Sequence, residues 1–302
     1  MRTYLHRLIG VGQQALLRLR KSRKVVSSAW KRRRALMVFA AYDRSLKRLA
    51  QAPVGRGARG NRLSVVYFSC HRDFGMLQLS LRSLLKYGAS RIHRIYIYED
   101  AKNRFTSAEK DALSATSGMV SVITGPRVSG WGAKTLIREL NFFRRTLDDA
   151  SDTRPRGMLK LDSDVLFLNG SIFAEIDRCG SDLFGNPYSS ACGFTYSQGG
   201  CYFITADFLR VIVSSGVTQA MRELSALINM PVNHLPEDAS IFYLAQCHGA
   251  RVEFSQYYLP HQQIPTFVPS PDERASVIHF ESGLGPHLRQ HMQRIGQHLM
   301  AA

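Results

Sequence analysis

Four short apolar runs, each closed by polar residues and separated by helical patterns, limit what this chain can fold into. Leu63–Ser69, Ile92–Tyr98, Val120–Thr124 and Met158–Leu168 read as strand and are rich in Val, Ile, Leu, Tyr and Phe. Between the first two, Leu77, Leu81, Leu84 and Leu85 fall at helical spacing, with Gly88 as a candidate stop. Residues 106–117 read as a second helix with Ser107 as a candidate cap, and residues 134–147 as a third. This alternation predicts an α/β fold: a Rossmann-like, mostly parallel central sheet with helices on both faces. Ligands on such sheets gather beyond the carboxyl ends of the strands. Asp73, Glu99, Asp100, Asp162 and Asp164 all fall at such ends.

The last of these runs carries the chemistry. Residues 158–168 read as an apolar strand interrupted by two aspartates, Asp162 and Asp164. In an extended chain, residues two apart share a face and lie about 6.5–7 Å from each other. Two carboxylates held that way repel, and burying either one unpaired is costly. A divalent cation removes the cost, and hard carboxylate oxygens suit Mg²⁺ or Mn²⁺. A strand end running into a polar turn accounts for the tripeptide equally well.

Three later segments bear on the choice. Gln198-Gly199-Gly200-Cys201 places paired glycines where a strand resumes, which suits either a close ligand approach or a tight turn. Leu235-Pro236-Glu237-Asp238 opens a helix that Gly249 stops. Acids in a first turn are favoured by the helix dipole whether or not they do chemistry. Ala275–Gly283 delivers one histidine, His279, to the edge of a polar turn. Lys134 and Arg138, on the helix before the aspartate strand, are candidates for meeting donor phosphates, though a solvated helix face accounts for both more simply; Glu99 and Asp100 are candidates for accepting hydrogen bonds from a nucleobase or ribose. His287 and His291 lie four residues apart without the glutamate of a zinc-protease helix, and read as surface residues.

Taken in order, Asp162/Asp164, Gly199-Gly200, Glu237/Asp238 and His279 resemble the motifs of glycosyltransferases with the GT-A fold, over about residues 63–283. The resemblance implies a Mn²⁺ (or Mg²⁺) cofactor and a nucleotide-sugar donor, a UDP-sugar first. It also implies a carbohydrate or glycan hydroxyl as acceptor. By the same resemblance Asp164 and His279 are direct metal ligands, with Asp162 on the metal, its water or the ribose. Gly199 and Gly200 lie beneath the donor sugar, and Glu237 or Asp238 serves as general base in inverting members. His279-Phe280-Glu281-Ser282-Gly283 resembles the glycogenin-like family 8. That family places Lys-Pro-Trp next, and Leu284-Gly285-Pro286-His287 stands here instead.

Charge divides the chain. The net charge is +17, yet residues 1–62 hold 17 Lys/Arg against one acid, Asp43. Residues 63–302 hold 23 Lys/Arg against 22 Asp/Glu. The expected organisation is a basic amphipathic helical arm (1–52), a Gly/Pro-bearing linker (53–62) and a GT-A glycosyltransferase domain (63–302). Such an arm suits an anionic membrane face, and a solvated charge run or flexible tail accounts for the same residues; charge alone is weak support for a nucleic-acid partner. No apolar stretch approaches the roughly 20 residues of a span, and no signal-peptide pattern stands out. A cytoplasmic protein, peripheral on the inner face of a membrane, is expected. Five scattered cysteines without a CxxC pair suggest reduced thiols. The chain lacks GxGxxG, Walker A and GxSxG patterns. Two other readings stand beside transfer: a catalytically silent carbohydrate- or membrane-interaction protein on the same scaffold, and a sugar-phosphate nucleotidyltransferase. The second would carry a Gly-rich basic loop after the first strand, and Cys70-His71-Arg72-Asp73-Phe74-Gly75 offers one arginine and one glycine.

Overall fold

The computed structural model describes residues 27–46, 60–126, 132–149, 155–190, 192–214, 216–270, 273–280 and 287–301. A helix, α1, occupies 27–46. The body then runs β1 (Leu63–Ser69), α2 (Phe74–Gly88), β2 (Ile92–Asp100), α3 (Ser107–Thr116), β3 (Val120–Gly125), α4 (Ala133–Asp149) and β4 (Gly157–Asp162). There follow β5 (Val165–Phe167), α5 (Ser171–Arg178), β6 (Leu183–Ser189), β7 (Thr195–Thr205), α6 (Ala206–Val213) and α7 (Val217–Leu227). The last elements are α8 (Glu237–Cys247), β8 (Val252–Phe254), β9 (Val277–His279) and α9 (Leu288–Ala301).

Seven strands form one sheet in the order β3-β2-β1-β4-β7-β6-β8. The first four are mutually parallel, and β7 runs antiparallel to β4. Alternation along the strands splits the core in two, because successive side chains point to opposite faces. Val66, Tyr96, Met158 and Tyr202 meet α4, α6, α7 and α8 on one face. Val65, Tyr67, Ile95, Leu159 and Phe203 meet α2 and α5 on the other. The α/β expectation with helices on both faces therefore holds.

The apolar run 158–168 is not one strand. It breaks at Ser163, and β5 leaves the main sheet to pair antiparallel with β9. That two-stranded unit packs with α9 in a third cluster containing Leu166, Ile278, Phe280, Met292 and Ile295. Asp162 and Asp164 thus meet across a turn, in place of the expected i, i+2 strand geometry.

Two local expectations also need correction. Gly88 has φ −124° and does not adopt a left-handed stop. It is required because a Cβ there would lie 2.3 Å from the Phe173 ring. The cap of α3 is Thr106, which forms a reciprocal capping box with Glu109. Gly249 does take a left-handed conformation, φ +76°, just past α8.

Part of the basic arm belongs to the body. Ala35, Phe39, Tyr42 and Leu46 recur at helical spacing, are buried, and join the core cluster of α4, α6, α7 and α8. The Tyr42 hydroxyl donates to the Val213 carbonyl at 2.9 Å. Asp43, the lone acid of the arm, accepts from the Val217 and Thr218 amides at 2.7 and 3.0 Å, and from the Thr218 hydroxyl. It caps α7 from a distant part of the chain. Residues 1–26 and 47–52 of the arm, and residues 53–59 of the linker, lie outside the described residues.

Candidate active site

The register of the parallel strands brings their carboxyl ends level: Phe68 of β1 lies opposite Asp162 of β4, and Ser69 opposite Glu99 of β2. Asp162 ends β4, and Asp164 follows across the turn. His279 arrives from β9, directly opposite Val165 in the two-stranded sheet. The Phe280 amide donates to the Asp164 carbonyl at 2.9 Å, which locks the two segments together. One ligand atom from each of Asp162, Asp164 and His279 lies within 4.8 Å of the others. His279 Nε2 is 3.4 Å from Asp164 Oδ1 and 3.9 Å from Asp162 Oδ2. The Tyr258 ring backs the imidazole at 5.7 Å.

These residues fit a divalent cation. Asp164 Oδ1 is buried and accepts no hydrogen bond, a cost that a cation at that point removes. Two carboxylate oxygens and an imidazole nitrogen make a mixed set that suits Mn²⁺ better than Ca²⁺.

The glycine pair has a packing reason. A Cβ on Gly200 would lie 2.6 Å from the His279 ring, and one on Gly199 would lie 3.0 Å from Asp238 Oδ2. Neither glycine has a positive φ. The bare backbone of β7 lets the histidine and the acidic helix close onto the sheet from either side.

Behind the aspartates lies a buried charge cluster that the sequence reading missed. Lys160 is 1% exposed, and its Nζ donates to Asp162 Oδ1 at 2.7 Å and to the Gly199 carbonyl at 2.6 Å. It pins Asp162 and leaves Oδ2 facing His279. Burial pulls the Lys160 pKa down, but the carboxylates of Asp162, Glu139 and Glu237 outweigh it and hold the ammonium charged. Glu139 of α4 is also buried, with Oε2 accepting no hydrogen bond. Burial first, then the charge of Glu237, push its pKa far above the usual carboxylate value. Both had a sequence signal. Lys160 interrupts an apolar strand, on the same face as Asp162. Glu139 follows Leu136 by three and precedes Phe143 by four, on the buried stripe of α4.

Glu237 and Asp238, in the first turn of α8, are half-buried. Burial raises the pKa of both. For Asp238, the Glu237 charge adds to burial and the value is pushed up to about 7, against the Ala239 amide that donates to Oδ1 at 2.7 Å.

The other expected donor contacts stand outside the Asp162–Asp164–His279 group. Glu99 is buried and engaged by Lys110, the Thr124 hydroxyl and the Phe105 amide. Burial works against its ionisation, yet those partners outweigh burial and hold its pKa below the usual value. Asp100 is buried and accepts from the Lys102 amide at 2.8 Å. Lys134 is exposed at the start of α4 and lines a separate basic recess with Arg138.

The sheet order, the crossing of β7 and the acidic turn after β4 define the GT-A fold. Among solved structures, the chain is similar to the galactosyltransferase LgtC in complex with donor and acceptor sugar analogues. The TM-score is 0.54 and the identity 13%, with 79% of this chain and 96% of that one covered. An active-site mutant of LgtC gives a TM-score of 0.52 at 12% identity, covering 78% and 96%. No protein-family model and no curated protein matches the sequence.

Proposed function

We propose that this protein is a metal-dependent glycosyltransferase, moving a sugar from a nucleotide-sugar donor, a UDP-sugar first, to the hydroxyl of a carbohydrate or glycan acceptor. The observation that carries the reading is the convergence of Asp162, Asp164 and His279 at the carboxyl edge of a GT-A sheet, beside two half-buried carboxylates. The likeness to a galactosyltransferase solved with donor and acceptor sugar analogues supports the same class of reaction.

Asp162, Asp164 and His279 would hold Mn²⁺ or Mg²⁺. The ion supplies Lewis-acid stabilisation of the charge on the departing nucleoside diphosphate. Lys160 fixes the orientation of Asp162 and keeps β4 and β7 in register beneath the site. Asp238, with a pKa near 7, is poised to take the proton of an acceptor hydroxyl at neutral pH. Glu237 beside it raises that pKa by its charge. No helix among the described residues is long and apolar enough to cross a membrane. The basic arm is proposed to hold the enzyme to an anionic membrane face, on the cytoplasmic side.

The test is nucleoside diphosphate release across a panel of nucleotide sugars with Mn²⁺, in wild type and Asp164→Ala. The variant removes a half-buried carboxylate and no core side chain, so it should fold and lose transfer. A folded Asp164→Ala enzyme with wild-type turnover would defeat the metal assignment. Failure of every donor to bind with metal would favour the silent-scaffold reading. Pyrophosphate release from a nucleoside triphosphate and a sugar phosphate would favour the nucleotidyltransferase.

A further inference from the structure

Docking of α1 creates a second feature on the carboxyl edge of the sheet. A recess of about 710 Å³ opens between α1, the start of α4 and the loops that follow β2 and β3. That volume lies in the range of small-molecule sites. Five cations line it: Lys31 and Arg34 from α1, Lys102 after β2, and Lys134 and Arg138 from α4. No acid is among its lining residues. Elsewhere basic side chains find carboxylates, as Lys110 finds Glu99, Arg94 finds Asp149 and Arg156 finds Asp177. None of the five forms an ion pair among the described residues. Like charges gathered from three separate elements repel unless an anion joins them.

Resting on the transfer reading above, we propose that this recess binds a phosphate group carried by the acceptor. A nucleotide sugar bears its charge on the diphosphate, which the cation at Asp162, Asp164 and His279 claims. None of the residues lining the recess belongs to β4, β7, β9 or α8, the elements of the metal and carboxylate cluster. Yet the recess is close to that cluster in the chain. Arg138 adjoins Glu139, and the lining residue His234 precedes Glu237 by three. Trp30, 58% exposed at the rim, offers an amphipathic ring against which a sugar can pack. The bound acceptor is therefore anionic: its phosphate lies among the lysines and arginines, and its hydroxyl is directed toward α8. This assigns Lys134 to the acceptor side of the site.

Isothermal titration of the full chain with glucose 6-phosphate, with glucose, and separately with UDP plus Mn²⁺ tests the assignment. Wild type should bind the sugar phosphate and not the neutral sugar, with affinity falling as salt rises. Lys31→Gln/Arg34→Gln changes two exposed side chains and spares the buried stripe of α1. It should weaken the sugar phosphate at least about tenfold, or about 1.4 kcal/mol, and leave UDP with Mn²⁺ unchanged. Lys102→Gln, on a different element, should act the same way. Equal binding of glucose and glucose 6-phosphate overturns the proposal, as do variants that bind the phosphate like wild type. Parallel loss of UDP binding also overturns it, by assigning the recess to the donor. Phosphate binding lost in the variants, with no UDP binding even in wild type, upholds the anion site and removes the transfer reading. Displacement of glucose 6-phosphate by phosphatidylcholine vesicles doped with phosphatidic acid identifies a lipid-borne phosphate. Displacement by free sugar phosphates alone identifies a soluble one. Either result supports the site.

Discussion

Gly200→Ala places the argument for the metal cluster under direct strain. The added Cβ would lie 2.6 Å from Cγ, Cδ2 and Nδ1 of His279, about 1 Å inside normal contact between such atoms. The imidazole has little freedom to yield. It is 8% exposed, its backbone pairs with Val165, and Tyr258 stands behind its ring. Overpacking of this kind costs about 1–3 kcal/mol. Drawn from metal affinity, that is a loss of roughly 5- to 150-fold. The assay is the Mn²⁺ concentration giving half of the thermal stabilisation by UDP, with a far-ultraviolet spectrum to check the fold. Gly75→Ala is the control. It lies in α2 with nothing within 4 Å of the new methyl group, and it should stabilise by about 0.5–1 kcal/mol without touching the metal. Wild-type Mn²⁺ affinity in a folded Gly200→Ala protein would refute the placement of His279 as a ligand.

The remaining predictions concern packing, protons and the surface. Phe39→Ala empties a fully buried position in α1 and should cost about 3–5 kcal/mol in denaturant unfolding; no loss of stability would mean that α1 does not dock. Asp238→Asn should abolish transfer yet raise stability above pH 7. The unfolded carboxyl ionises near its ordinary 3.8 and the folded one near 7, so stability falls as pH rises between those values and the penalty persists above them. Partial exposure of Asp238 trims that gain, and unchanged unfolding at pH 8 would show an ordinary carboxylate. For the same reason the acid limb of the wild-type rate profile should fall near pH 7. The full chain should co-sediment with anionic vesicles at low salt and release at about 1 M salt, where the Debye length is about 3 Å; salt-insensitive sedimentation would remove the electrostatic account of the arm.

Much of this was legible in the sequence because it depended on periodicity. Strand-length runs with helical patterns between them are local, and β1 to β4 appear where those runs fall. The order of motifs, through resemblance, named Asp162, Asp164 and His279 together, and the structure brings the three side chains to one place. What eluded the sequence were relations between distant elements. The break at Ser163 depends on β9 offering a partner to β5, more than a hundred residues later. Gly88 looked like a helix stop because nothing local reveals that Phe173 presses against it. The burial of α1 was written in Ala35, Phe39, Tyr42 and Leu46, but the density of Lys and Arg around them pointed to water or lipid. Glu139 and Lys160 show the converse. A charge on an apolar stripe signals a buried polar cluster, and its partners emerge only in three dimensions.

The Asp43 cap has a consequence for how the chain is made. Its partners on α7 lie 174 and 175 residues further along, and the Tyr42 contact spans 171. At about 5–20 residues per second, a ribosome needs roughly ten to thirty seconds to cover that distance. Through that interval the apolar stripe of α1 has no α6 or α7 to cover it, while the basic side chains beside it are already present. A nascent chain in this state presents an uncovered apolar stripe beside a dense basic face. Emergence of α7 then withdraws the stripe into the core. The order of synthesis thus fixes how long the stripe of α1 waits for its cover.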